Sequence, residues 1–324
     1  MRVKLWGTRG SLPSPQTPET ISGRTKGLFY DFFDRGYRDA GDIDRFFAEL
    51  PPHRVGGFGG NTLCVEVKTP QQQIAIDAGT GLRLLGYELM KGDCGKGCGE
   101  VHLFFTHFHW DHLSGLPFFV PLYIPGNVIH VYAVQPDLPD VFKTLFQNPY
   151  FPVTLDRIEG QVKYHQLEPR QPIALNDLSI TPYQLDHPQP CWGYRCESGG
   201  KVFSHCVDTE ITRVSRQELG PDLPLYQNID LMVIDAQYTL LESVEKVNWG
   251  HGSAAIGLEI AMRESVKRVI FVHHDPIASD EQIATVERQT RKFYEREVRI
   301  SHRRGIPRNE VDWEFGIDGM EVEV

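Results

Sequence analysis

The sequence predicts an α/β protein in which two packed β-sheets are covered by helices. Short apolar runs rich in valine and isoleucine recur along the chain with turn residues between them, as expected of buried strands. Strands cluster early, and helical periodicity lies between and after the later ones, which favours two sheets with helices outside. The predicted strands are Val3–Trp6, Leu63–Val67, Ile74–Ile76, Val101–Phe105, Val128–Ala133, Ile180–Tyr183, Val202–Ser204, Leu231–Ile234 and Val269–Val272.

Two helices are predicted in the C-terminal part of the chain. Apolar residues at helical spacing follow Ser253, and a second series follows Ser279, which fits a capping box with Gln282. A length of 324 residues allows two domains, but layered α/β enzymes often use this much chain around one core. We therefore expect a single domain over residues 1–324.

An aromatic segment stands apart from the predicted strands. Leu28–Phe33 and Ile43–Leu50 place apolar side chains at helical spacing, with Gly36 and Gly41 between them. This pattern predicts a helical insertion at about 24–54. Its rings either cover the edge of the core, or form a homodimer surface or a lid over a pocket.

Composition and charge exclude several classes of protein. An apolar content of 40% excludes a disordered or collagen-like chain. The net charge of −10 argues against non-specific binding to nucleic acid or to an anionic membrane, because both need a positive field. The first residues lack the apolar core of a signal peptide, and six cysteines are too sparse for a disulfide scaffold. These features predict a soluble, cytoplasmic protein.

The strongest motif directly follows the predicted strand Val101–Phe105 and reads Thr106-His107-Phe108-His109-Trp110-Asp111-His112. A strand that ends in a tight loop releases alternate side chains to one side, so His107 and His109 can face one point. Asp111 and His112 then offer a carboxylate and an imidazole to a second point nearby. Such donors suit zinc, manganese or iron, so the motif predicts a metal site in preference to a polar loop.

Further donors stand just past other predicted strands, where a sheet fixes side chains while the loop leaves them open. They are Asp186-His187, Cys206 with Asp208, and His273-His274-Asp275. A dinuclear metal site needs more than four ligands, and these groups supply them. Arg9 follows the first strand, where a phosphate contact and a turn-stabilising role are both open to it.

The order of these motifs resembles the metallo-β-lactamase fold superfamily of metal-dependent hydrolases. The resemblance rests on Asp77-Ala78-Gly79, the histidine motif, His187, Asp208 and His273, and it runs through nearly the whole chain. It implies a four-layer αββα sandwich, with two mixed sheets flanked by helices. A narrower resemblance to the branch of RNase Z and of cyclic-nucleotide and other phosphodiesterases is carried by Trp6–Ser11, Gly59–Thr62, Ile76–Arg83 and Asn148–Pro152.

The resemblance implies two divalent metal ions, with zinc expected and manganese or iron as alternatives. By this resemblance a first set of donors, for one ion, consists of His107, His109 and His187. A second set, for the other ion, consists of Asp111, His112 and His273. Asp208 would bridge the two ions. His273 is preferred to His274 because it comes first after the strand and matches the family position. Asp77 is expected to hold the histidine loop by hydrogen bonds.

Two ions that share a hydroxide would create a strong nucleophile near neutral pH, because zinc lowers the pKa of bound water to about 7. Hydrolysis is then the expected reaction, with Asp111, His251 and Asp235 as catalytic residues. Trp249-Gly250-His251-Gly252-Ser253 resembles a motif of the RNase Z and phosphodiesterase branch whose histidine donates a proton, although Gly252 departs from that motif. Asp235 matches the carboxylate that would orient His251. A structural histidine is the alternative reading of His251.

We therefore expect a dinuclear phosphodiesterase for a small diester such as a cyclic nucleotide. The ligand set equally suits a lactone, thioester or ester hydrolase. An RNase Z-like endonuclease is less favoured, because the insert between Pro125 and Leu185 lacks a glycine- and lysine-rich arm. A flavodiiron-type oxygen reductase would need a carboxylate in place of His109. A binding module without turnover is the remaining alternative, and the presence of every expected ligand counts against it.

Overall fold

In the computed structural model, which describes residues 1–158 and 161–324, the strands form two mixed sheets of seven strands each. The strands, numbered β1 to β14 in chain order, are Arg2–Gly7, Cys64–Lys68, Gln73–Ile76, Glu100–Phe104, Val128–Ala133, Val162–Gln166, Ile173–Leu175, Leu178–Gln184, Trp192–Ser198, Lys201–Cys206, Leu231–Asp235, Arg268–Val272, Asp312–Phe315 and Glu321–Glu323. Every strand predicted from an apolar run is among them.

The strands that run parallel in each sheet have their C-terminal ends together at one end of that sheet. The first sheet has the order β14-β1-β2-β3-β4-β5-β6, and the second has the order β13-β12-β11-β10-β9-β8-β7. Strands β3 to β6 run parallel, as do strands β10 to β13. Strand β8 points the same way as β10, because both pair antiparallel with β9. The loops that carry the predicted ligands follow these strands.

The helices, numbered α1 to α9 in chain order, are Pro18–Asp34, Ile43–Ala48, Pro52–Gly56, Leu82–Leu89, Leu138–Leu145, Arg216–Leu219, Leu240–Glu245, Ala254–Arg263 and Asp280–Arg304. The two helices predicted in the C-terminal part are α8 and α9. Helix α9 begins with the expected capping box between Ser279 and Gln282, and it is followed by Gly305 in left-handed conformation. Within the described residues, every helix is too short or too polar to span a bilayer.

Three hydrophobic clusters hold four layers together. Side chains of both sheets, including Phe104 and Tyr194, fill the space between them. Outside the second sheet, α8 contributes Leu258 to a cluster that also contains side chains of α9. Outside the first sheet, α4 and α5 bury Leu85 and Phe142. This order of helix, sheet, sheet and helix confirms the predicted four-layer fold.

Five strands, β6, β7, β9, β13 and β14, have no counterpart among the predicted ones. Strands β6, β7, β13 and β14 are the edge strands of the two sheets and bury at most half of their residues, so their sequences are not continuous apolar runs. Strand β9 is central, but Arg195 interrupts its apolar run. The Arg195 guanidinium donates hydrogen bonds to the carbonyls of Pro224 and Gln227. Contacts with distant residues therefore accommodate a charged side chain within this strand, whereas the sequence pattern alone predicts that the strand is interrupted there.

Helices α1, α2 and α3 occupy the region of the aromatic segment, and the first begins at Pro18. The rings of Phe32, Tyr37 and Phe46 lie 5.3–5.7 Å apart. Phe46 is buried, whereas the side chain of Phe29 is 61% exposed. The segment therefore packs around an aromatic cluster of its own and leaves other apolar rings at the surface.

Candidate metal centre

The structure brings all seven predicted metal ligands together where the C-terminal ends of the strands meet. Within the described residues three overlapping groups form, and within each group the ligand atoms lie within 4.8 Å of one another. The third group joins Asp208 and His273 to Asp235 and His251. The two groups of predicted ligands are His107, His109, His187 and Asp208, and Asp111, His112, His273 and Asp208. Asp208 belongs to both groups, so the seven donors form one continuous centre.

The two carboxylate oxygens of Asp208 face different sets of imidazoles. Oδ2 lies 3.1 Å from Nε2 of His107 and 2.9 Å from Nε2 of His112. Oδ1 lies 2.9 Å from Nε2 of His273, which is also 3.1 Å from Oδ2 of Asp111. A carboxylate placed in this way can contact two cations at once.

Hydrogen bonds occupy one nitrogen of each ligand histidine and leave the other nitrogen to the centre. Nδ1 of His112 donates to Asp77, and Nδ1 of His273 donates to Oε1 of Gln237, both at 2.8 Å. Thr106 donates its hydroxyl proton to Asp77, so it accepts from Nδ1 of His107 at 3.1 Å. Such partners fix the ring orientation and the tautomer of metal-binding histidines. Asp77 thus holds the histidine loop from behind.

Buried polar atoms that face one another test whether a cation fits here. Within the described residues, Nε2 of His107, Nε2 of His112 and both carboxylate oxygens of Asp208 are buried without a hydrogen bond of good geometry. Buried polar groups without partners are costly, and they are rare away from functional sites. Nitrogen and oxygen donors of this kind suit a divalent transition metal, so the residues fit the metal that the fold family implies.

Three residues of the centre have left-handed backbone conformation, which is uncommon outside glycine. The φ angles are 64° for Asp77, 62° for Asp208 and 64° for His273. Asp77 and His273 directly follow strands β3 and β12, and Asp208 follows β10 by one further residue. Strain of this kind costs about 1–3 kcal/mol per residue and persists where the surroundings enforce it. It turns these side chains away from their strands and into the centre.

Two glycines make room for ligand side chains. A Cβ atom at Gly10 would lie 2.3 Å from Nδ1 of His273, and one at Gly250 would lie 2.4 Å from Cδ2 of His187. Gly250 also has a φ of 90°, and its N–H donates to Glu210 at 2.8 Å. Larger residues at either position would displace a ligand.

Charge differs between the two groups of ligands. Burial lowers the pKa of His273, but the carboxylates of Asp208, Asp111 and Asp235 together outweigh burial and raise this pKa to about 10. Burial also opposes ionisation of Asp111, yet His112 holds the pKa of this carboxyl well below its usual range. Burial and repulsion by His107 lower the pKa of His187 to about 4. Burial also opposes a charge on His112, but Asp111, Asp208 and Asp77 hold the pKa of His112 well above its usual value. A cation must therefore displace protons from His112 and His273 but not from His187.

His251 lies beside the group that contains His273. Its ring stacks on the His273 ring at 4.7 Å, and its Nδ1 lies 2.9 Å from Oδ2 of Asp235. The other oxygen of Asp235 accepts the N–H groups of Gln237 and Gly252 at 3.0 and 3.1 Å. Gly252, which departs from the family motif, thus supplies a hydrogen bond that fixes Asp235.

Contacts away from the centre bear on two assignments that the sequence left open, those of His274 and Arg9. Nε2 of His274 donates to the carbonyl of Gly316 at 2.8 Å, so the structure places His273, and not His274, among the donors. The buried guanidinium of Arg9 donates to the carbonyls of Gly59, Asp275 and Ala278 at 2.8–2.9 Å. These contacts give Arg9 the turn-stabilising role.

Several residues of the centre carry no motif and were not expected from the sequence. Gln189 contacts both His109 and His187, Gln237 contacts His273, and Glu210 contacts Gly250. Amide side chains are common at protein surfaces, so their sequence positions alone give no sign of this role. The prolines on either side of Gln189 are the one local signal of a rigid loop.

Comparison with known proteins adds evolutionary evidence. The family model described as the β-lactamase superfamily domain matches residues 73–274. Ribonuclease Z from Staphylococcus carnosus (strain TM300) is 24% identical over 141 residues, which cover 41% of this chain. The match spans 42% of that relative, which is less than half of its length.

Solved structures resemble the whole fold. Unliganded yeast PDE1 aligns with a TM-score of 0.63 and 13% identity, covering 100% of this chain and 99% of its own. A diphosphatase from the PhnP family aligns with a TM-score of 0.59 and 17% identity, covering 100% and 97%. At these identities the structural likeness establishes the fold, and the family model establishes the family. The chain belongs to the β-lactamase superfamily and has the metallo-β-lactamase fold of its metal-dependent hydrolases.

Proposed function

We propose that the protein is a dinuclear metal-dependent phosphodiesterase that acts on small diesters. The observation that carries this proposal is Asp208, whose carboxylate contacts His107 of the first set of donors and His112 and His273 of the second set, with His251 beside them. His107, His109 and His187 would hold one divalent cation, and Asp111, His112 and His273 the other. Asp208 would bridge the two. Zinc suits this mixture of imidazole and carboxylate best, and manganese and iron are alternatives.

When bound, the cations would activate water as the nucleophile and neutralise charge on the phosphoryl oxygens. The side chains of the protein would supply orientation and proton transfer. Asp235 accepts a hydrogen bond from Nδ1 of His251, which fixes the ring and leaves Nε2 free of this contact. Nε2 of His251 is then the atom that delivers a proton to the leaving oxygen.

Two observations favour a small phosphorus ester as substrate. The names ribonuclease and diphosphatase, which two similar proteins carry, both denote cleavage at phosphorus. A net charge of −10 opposes the binding of a large polyanion such as a structured RNA, whereas a small diester needs only the local positive field of the cations. A lactone, thioester or ester hydrolase is the competing assignment, and leaving-group chemistry separates the two.

The test is the variant His251→Ala, assayed with the metal-loaded protein on two phosphodiesters. A cyclic nucleotide has a poor alkoxide leaving group that needs a proton, so its hydrolysis should fall by about 10²–10⁴-fold. A nitrophenyl phosphodiester has a good leaving group, so its hydrolysis should fall much less. Metal content should stay unchanged, as should all activities of the control His302→Ala, whose side chain is 72% exposed.

Other outcomes would contradict the proposal. Equal losses on both substrates would assign His251 to binding or folding. Lactone or thioester turnover far above phosphodiester turnover, with His251→Ala indifferent, would establish an acyl hydrolase. A fully metal-loaded protein that turns over none of these substrates would favour the binding module.

A further inference from the structure

We propose that Gln189 is a positioning residue that sets the cation affinity of one half of the metal centre, the half formed by His107, His109 and His187. The inference rests on the proposed function, in which each half holds a divalent cation. Gln189 is not one of the donors, and it follows His187 in the loop after β8.

Gln189 contacts two of the three imidazoles in this half. Its side-chain Oε1 accepts a hydrogen bond from Nε2 of His109. Its backbone carbonyl oxygen lies 3.0 Å, and its backbone nitrogen 3.2 Å, from Nδ1 of His187. An amide oxygen can only accept, so Nε2 of His109 carries the proton and Nδ1 is left as the ligand atom. Gln189 thus occupies Nε2 of His109 and Nδ1 of His187, which leaves the other nitrogen of each ring to the centre.

Contacts that do not involve the ligand side chains also hold the loop that carries Gln189. Pro188 and Pro190 flank Gln189 and restrict the backbone on either side. Nε2 of Gln135 donates to the carbonyl of Pro190 at 2.7 Å and to the carbonyl of Thr106 at 3.0 Å. Gln135 therefore ties this loop to the end of the strand that leads into the histidine motif.

Exposure explains why this half needs such a residue. His109 is exposed and His187 is half-buried, whereas Asp111, His112 and His273 are all buried. Packing already fixes the buried donors, but an exposed imidazole must lose its rotamer freedom when it binds a cation. Gln189 removes part of that freedom in advance. Loss of partners of this kind typically weakens metal binding by about 10–100-fold.

The test is a titration of chelator-treated full-length protein with Zn²⁺ in competition with a chromophoric chelator, without substrate. Wild type should show two binding steps, one of which His187→Ala abolishes. Gln189→Ala should weaken that same step by about 10–100-fold and leave the other step unchanged. Gln189→Glu keeps an acceptor oxygen and should restore the affinity. Gln289→Ala, at an exposed position of α9, is the matched control and should behave as wild type.

A spectroscopic measurement separates positioning from general stability. The ¹⁵N shifts of the His109 ring should report a proton on Nε2 in wild type and a mixture of tautomers in Gln189→Ala, at unchanged melting temperature. Equal weakening of both steps, or no change in either, would overturn the role of Gln189 while leaving two bound cations in place. A single binding step in wild type would instead overturn the dinuclear centre itself.

Discussion

At the scale of single residues, the metal centre depends on contacts that leave no room for substitution. Asp208 is 1% exposed and faces three imidazoles, and His273 has a glycine against its ring. A buried carboxylate of this kind is costly unless positive charge surrounds it. Changes here should therefore act on metal binding before they act on the rest of the fold.

The variant Asp208→Ala should lose both cations together, because each half of the centre loses a ligand. We expect elemental analysis to show about two equivalents of metal in wild type and less than one in the variant. Asp140→Ala removes an exposed carboxylate from α5 and should keep the wild-type content. Loss of a single ion from Asp208→Ala would make Asp208 a terminal ligand of that ion alone.

The variant Gly10→Ala should damage the same centre by steric contact. The new Cβ would lie 2.3 Å from Nδ1 of His273, so the ring must move or the backbone must shift. Crowding of this kind costs about 1–3 kcal/mol, which calorimetry would detect as a lower melting temperature, together with weaker metal binding. Gly23→Ala is the control, because its Cβ meets nothing within 4 Å and lies inside α1. A wild-type melting temperature and wild-type metal binding in Gly10→Ala would show that the loop accommodates the Cβ atom without loss of stability.

At the scale of elements, neighbouring strands of the first sheet carry a second group of histidines, which lie within the strands and not in the loops that form the metal centre. His102 on β4 stacks on His130 of β5 at 4.8 Å, and Nδ1 of His130 lies 2.8 Å from Nε2 of His165 on β6. Nε2 of His130 also lies 3.0 Å from Glu100. Only one of the two facing nitrogens of His130 and His165 can donate the hydrogen bond between them.

The stack should make stability fall in mild acid. Burial, reinforced by repulsion from His130, lowers the pKa of His102 from 6.5 to about 4. The unfolded chain then binds more protons than the folded chain below pH 6.5, so stability is lost as pH falls from 6.5 toward 4. We expect His102→Gln, which cannot be protonated, to reduce the loss between pH 7 and 5 by about 1–2 kcal/mol.

Chemical denaturation at several pH values measures this difference between His102→Gln and wild type. His302→Gln, in the last turn of α9, is the control and should leave the pH profile unchanged. Parallel profiles for wild type and His102→Gln would mean that His102 keeps an ordinary affinity for protons in the folded chain.

At the scale of the whole molecule, the aromatic segment should be separable from the metal centre. The contacts of this region with the rest of the chain include Arg24 with Asp280 at its base, while Phe32, Tyr37 and Phe46 pack on one another. Replacing Leu28–Leu50 by a short glycine-serine linker should therefore leave metal content unchanged. We expect a change in mass by light scattering if the segment joins two copies, or in substrate range if it forms a lid.

A second variant guards against misfolding of the shortened chain. Phe29→Ser with Tyr30→Ser keeps the segment and removes two exposed rings, of which 61% and 71% are accessible. It should reproduce the change in mass or substrate range with an unchanged melting temperature. Unfolding of the linker variant, together with a silent double substitution, would mean that the segment serves the core.

The sequence by itself determined the fold class and located the candidate donors. Apolar runs mark the strands because burial on both faces demands continuous apolar sequence, and the donors stand at strand ends because sheets fix side chains there. The helix start at Ser279 is equally local, since a capping box is set by four residues. These features depend on residues that are close together in the chain, so they can be recognised from the sequence alone.

The tertiary structure alone decided how the donors meet and what holds them. The side chains of Gln189, Gln237 and Arg9 contact residues that lie far apart from them in sequence. The left-handed backbone at Asp208 and His273 is likewise enforced by the surrounding structure. Edge strands such as β6 and the interrupted strand β9 likewise take their conformation from their partners. Pairing between distant segments leaves no periodic trace in the chain, because the interaction energy belongs to the pair and not to either residue.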